Sequence, residues 1–124
     1  MRSLKVGTWD MTKTNKWKVT DIYSMLNQCH NLEDSTFFNW TPSNWAVIRV
    51  GSTFYACYKL KEIDLTNWSA ATFTIKNDST HINYFAGYCH SARKIDISPL
   101  NLTNVTTLNY YGSNNTTYTN FYEC

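Results

Sequence analysis

The residues best equipped for chemistry in this 124-residue chain are four cysteines, Cys29, Cys57, Cys89 and Cys124. They stand 28, 32 and 35 residues apart, by difference of their positions. A thiolate can hold zinc, a pair of thiols can close a disulfide, and a lone thiol can simply fill a core. Zinc modules draw on closely spaced C-x-x-C pairs, and this chain has none. If the cysteines belong to stacked repeats, neighbours come within about 5 Å, inside the Cα range of a disulfide. Parallel stacking, however, aims their Cβ atoms in the same direction rather than at each other. The expectation is therefore a ladder of buried free thiols. A zinc site built from Cys29, Cys57 and Cys89 with His30 or His90 is the weaker alternative.

The other reactive groups give less. Asp64 and Asp96 share one repeat position and would fall in register on a strand face. Two carboxylates so placed could serve glycoside hydrolysis or calcium, but a third acidic ligand is missing, with Thr36 at the corresponding place in the first unit. A solvated strand face is the expectation. His30, His81 and His90 stand in no nucleophile–base motif, so the chain reads as non-enzymatic, with no metal and no cofactor. Lys13, Lys16, Trp17 and Lys18 form a short basic segment, read as a solvated face rather than a nucleic-acid site. Trp9, Trp40 and Trp68 share a repeat position and are expected to stack as an apolar column. Trp45 lies outside that column; with Trp17, Tyr110, Tyr111 and Tyr118 it is a candidate exposed contact ring, for protein or sugar.

What must position these residues is a repeat. CHNLEDSTFFNW from Cys29, CYKLKEIDLTNW from Cys57 and CHSARKIDISPL from Cys89 are versions of one phrase, and FYEC at the C-terminus echoes FYAC at residues 54–57. A period near 30 signals an array of stacked units. In the second unit Leu60, Ile63 and Leu65 alternate with Asp64 in the manner of a half-buried strand; Ala92, Ile95 and Ile97 repeat this in the third. The first unit is degenerate (Leu32, Ser35, Phe37), and a partial unit precedes it at Leu4, Val6 and Trp9. Apolar clusters before each cysteine predict short helices, capped by Thr20 or Asp21 in the first unit and Ser79 or Thr80 in the third. Polar loops are expected over 41–44, 69–80 and 101–117.

The phrase F-x-x-C-x-x-L-x-x-I-D-L-x-N-W resembles the BspA-type leucine-rich repeat, the bacterial surface-protein repeat, over residues 20–124. The chain departs from it in its longer, uneven spacings and in Ser98-Pro99-Leu100 where Asn-Trp would stand. The resemblance implies an α/β repeat: a short solenoid with one parallel β-sheet, short helices and variable loops, about three and a half units long. Residues 1–19 would be an N-terminal cap, and the last unit breaks off at Cys124. It further implies an adhesion or host-contact role for a surface protein.

Composition narrows the class. Net charge is +2 with 16% charged residues, too weak a field for a polyanion partner, so no nucleic acid is expected. No apolar run is long enough to span a membrane, and the N-terminus lacks the apolar stretch of a signal peptide. The chain is expected to be an interaction or adhesion module for a protein or glycan. Its setting is expected to be a larger surface assembly such as a bacteriophage virion, or alternatively a bacterial cell surface. A purely structural subunit and a carbohydrate-binding module are the other readings.

Overall fold

The residues leading up to Cys29, Cys57 and Cys89 settle mainly into tight turns rather than helices. The computed structural model describes residues 18–33, 35–76, 79–105, 109–111, 117–119 and 124. In the first unit the amides of Met25, Asn27 and Cys29 donate to the carbonyls three residues back, at Ile22, Ser24 and Leu26. The intervening amides of Ile22, Ser24, Leu26 and Gln28 donate instead to the second unit, at Arg49, Gly51, Thr53 and Tyr55, over 2.7–3.1 Å. The second unit repeats this, with Val50, Ser52, Phe54 and Ala56 donating to His81, Asn83, Phe85 and Gly87. Every second peptide thus bonds within its own unit and every other one to the next, which satisfies the backbone without helix or strand. Such tight turns need left-handed residues. They occur five and one before Cys29, Cys57 and Cys89: Ser24 and Gln28, Ser52 and Ala56, Tyr84 and Tyr88, all with φ of 53–61°.

The expected helices fail for a physical reason. The inward residues are seven and three before the cysteine: Ile22 and Leu26, Val50 and Phe54, Ile82 and Ala86, all buried. A spacing of four suits one helical turn and equally suits this pair of turns. Asp21 caps no helix; its Oδ1 accepts the Tyr23 amide at 2.7 Å, closing an Asx turn. The α-helix among the described residues, α1 (Ser79–Ile82), is a single turn.

The strands are short and divided. β1 (Ala46–Val47) pairs in parallel with β3 (Thr72–Phe73), and β2 (Glu62–Asp64) in parallel with β4 (Lys94–Asp96). β5 (Asn109–Tyr111) and β6 (Thr117–Thr119) form an antiparallel pair. Where the first unit should add a strand to β2, residues Thr36–Asn39 form a 3₁₀ turn, and the Ser35 hydroxyl donates to the Glu62 carboxylate at 3.2 Å. The expected leucine-rich-repeat solenoid with one parallel sheet is therefore not what forms: among the described residues there are three separate two-stranded sheets. β3 also overturns the polar loop assigned to 69–80. Thr72, Phe73, Thr74 and Ile75 alternate outward and inward, a strand signature that stood in the sequence.

The core is aromatic. Trp40 and Trp68 stack at 6.3 Å and 10°, as their shared repeat position implied. Trp45 meets both edge-on at 6.1 and 5.7 Å, and Phe37, Phe38 and Phe54 close the cluster. Trp9, Trp17, Lys13, Lys16 and nearly all of the expected N-terminal cap lie outside the described residues.

Candidate functional site

The thiol ladder is where the repeat is most regular. Cys57 Sγ donates to the Leu26 carbonyl at 3.2 Å, Cys89 Sγ to Phe54 at 3.1 Å, and Cys124 Sγ to Ala86 at 2.8 Å. Each acceptor lies three residues before the preceding cysteine and already takes that cysteine's own amide. The thiol is thus a second donor to a carbonyl with two lone pairs, and it ties each unit to the one before. All four cysteines are free; Cys57 and Cys89 are buried, Cys29 is half-buried and Cys124 exposed. Burial, with the neighbouring Cys29, pushes the Cys57 thiol up to about 12. The hydrogen bond to Cys124, with burial, pushes Cys89 up as well, and the same bond lowers Cys124 to about 7. Inner thiols held protonated are poor nucleophiles and poor metal ligands. Among the described residues no group of three or more His, Cys, Asp or Glu is placed to hold a metal ion.

Asp64 and Asp96 are register partners across β2 and β4. Lys94 Nζ lies 2.5 Å from Asp64 Oδ2, supplying there the positive charge a cation would bring. That ammonium, and then Thr66, hold the Asp64 carboxyl down at about 2; the Ser98 amide lowers Asp96. Both aspartates also end their strands with Asx turns, to the amides of Thr66 and Ser98, and Asn101 does the same to Thr103. Asx-x-Ser/Thr spacing (Asp64-Leu65-Thr66, Asp96-Ile97-Ser98, Asn101-Leu102-Thr103) was the signal for this role. These aspartates shape the chain rather than offer a contact; Asp64 is only 20% exposed at its side chain.

Trp45 corrects the expectation of an exposed contact ring: it is 3% exposed, inside the aromatic core. Its Nε1 is buried with no hydrogen-bond partner among the described residues. The backbones of Tyr110 and Tyr118 are register partners in β5 and β6, and Tyr111 pairs with Thr117.

The outward rings lie elsewhere, immediately after Cys29, Cys57 and Cys89. His30 stacks on Tyr58 at 4.6 Å and 9°, and Tyr58 on His90 at 5.3 Å and 6°, forming a parallel row along the outside of the ladder. His30 and His90 are exposed and Tyr58 is 39% exposed. The row continues edge-on through Tyr88 to Tyr55 and Tyr84, at 5.5–5.9 Å. Beside Tyr55 opens a groove of about 310 Å³ lined by Tyr23, Asn27, Ser52, Tyr55, Asn83 and Tyr84. The dipeptides Cys-His, Cys-Tyr and Cys-His carried the signal for the row.

No protein-family model matches this chain, and no curated protein or solved structure matches it either. Among the described residues no helix is long and apolar enough to cross a membrane.

Proposed function

We propose that the chain is a non-enzymatic interaction module that presents the outer face of its turn ladder to a protein or glycan. Its setting in this reading is a larger surface assembly such as a bacteriophage virion or a bacterial cell surface. The observation that supports it is the parallel row His30, Tyr58, His90. Rings are enriched where proteins meet partners, because they offer large, stiff contact area with a polar edge. These three rings stand at exposed positions, apart from the buried aromatic core around Trp68.

The test is retention of the labelled full chain on immobilised bacterial envelope proteins and envelope glycans. The double variant His30→Ala/Tyr58→Ala should weaken retention about tenfold or more, as loss of central rings does at interfaces, with an unchanged melting temperature. Equal retention by the variant, or none by the parent chain on any such surface, would sink the reading.

A further inference from the structure

We infer that the groove between Tyr23, Tyr55 and Tyr84 is a subsite for one uncharged sugar ring. The inference rests on the interaction-module reading above and names the ligand class for one part of that surface. Its size, about 310 Å³, is at the small end of ligand pockets and suits a single ring with its hydroxyls rather than an extended segment. Its lining is three phenols, two carboxamides and one hydroxyl. No charged side chain lines it, and the Arg49 guanidinium over Tyr23 is already paired with Asp21, so a phosphate, carboxylate or ammonium group would find no dedicated counter-charge. Nor is it an apolar socket of the kind that seats a peptide's hydrophobic anchor. Ring faces for the C–H side of a pyranose, with amides for its hydroxyls, are what this lining offers.

The walls are fixed before any ligand arrives. Gly87 lets the Tyr55 ring lie against the backbone: a Cβ there would stand 3.3 Å from Tyr55 Cδ2. Tyr84 holds the same ring edge-on. Tyr23, 38% exposed, is covered by the Arg49 guanidinium at 4.1 Å from its centroid, and its amide is tied to Asp21. Ser52 and Tyr84, both in the lining, sit at left-handed turn positions. Asn83 Oδ1 is buried without a hydrogen-bond partner among the described residues, so a half-turn that brought it to a ligand hydroxyl would break no bond at that oxygen. Rigid walls reduce the ordering cost of binding.

The experiment is saturation-transfer NMR on the full chain with the methyl glycosides of glucose, galactose, mannose, N-acetylglucosamine and N-acetylgalactosamine, and with sialic acid as the charged comparison. Transfer to at least one neutral glycoside is expected at millimolar concentration. Tyr23→Ala and Asn27→Ala, both at exposed positions, should each weaken it about tenfold, while Lys59→Ala, exposed and outside the groove lining, leaves it unchanged. Silence from every neutral glycoside, preference for sialic acid, or transfer indifferent to both groove variants overturns the subsite. Envelope retention measured on the same samples separates the two readings. A silent panel with retention intact removes the sugar subsite alone; loss of both removes the module reading as well.

Discussion

The second and third units speak nearly the same phrase and are buried very differently. In the second, Phe54, Cys57, Leu60, Ile63, Leu65 and Trp68 are all fully buried. In the third, Phe85 and Cys89 are buried, but Ala92, Ile95 and Ile97 are only partly so, and Leu100 stands where Trp68 stands. The second unit lies between two others, with the Ser35 hydroxyl on one side of β2 and β4 on the other. Identical local pattern therefore fixes which way a side chain points, while neighbours decide how much that direction is worth.

Substitution at the equivalent positions is the hardest test of that contrast. Trp68→Ala should cost about 3–5 kcal/mol and Leu100→Ala about 2 kcal/mol, both read from urea unfolding; a larger loss at Leu100 would break the comparison. A smaller effect is expected along the thiol ladder. Cys57→Ala removes a buried sulfur and its bond to Leu26, for about 1–2 kcal/mol, whereas Cys124→Ala should change stability by less than about 0.5 kcal/mol. The Cys57 thiol titrates higher folded (about 12) than unfolded (9.0). The folded chain therefore holds the extra proton between these values, and stability should fall as pH rises from about 9 toward 12. At neutral pH a disulfide reagent should label Cys124 first and the buried Cys57 and Cys89 last.

The turn ladder gives a third, opposite-signed test. Gln28 is exposed and left-handed, so Gln28→Gly should raise stability by about 1 kcal/mol by removing the Cβ clash; a loss would mean the turn does not hold that φ. The smallest effect concerns the ion pair beside β4. Asp64 titrates at about 2 folded against 3.8 ordinarily, so its contribution is complete above about pH 4 and disappears as pH falls through 2. Lys94→Gln should flatten that acid limb in a pH series of thermal melts.

Much of this was legible in residue types and spacing. The repeat, the strands at Ile63 and Ile95, the free thiols and the Trp40–Trp68 stack all follow from period and polarity. Among the described residues before Cys29, Cys57 and Cys89 no helix longer than the single turn of α1 formed, because inward residues four apart, such as Ile22 and Leu26, satisfy two different backbones, and only the six left-handed residues, none of them glycine, distinguish them. A parallel sheet through all units failed at Ser35–Phe37, where the apolar alternation is weakest. Trp45 was misplaced because a polar neighbourhood, Pro42 to Asn44, says nothing about what reaches over it. The groove was invisible in sequence: Tyr23, Tyr55 and Tyr84 meet only when three units lie side by side.

The direction of the ladder's hydrogen bonds has an electrical consequence. In the turns before Cys29 and Cys57 every bridging amide donates from the earlier unit to the later one, so these peptide dipoles add instead of alternating as in an ordinary sheet. The ladder is polarised lengthwise, with carbonyl oxygens toward its first unit and amide hydrogens toward its third, as a helix is along its axis. Any charged group that approaches along that axis, on a partner or on a second copy, meets opposite partial charge at the two ends and has one preferred way round.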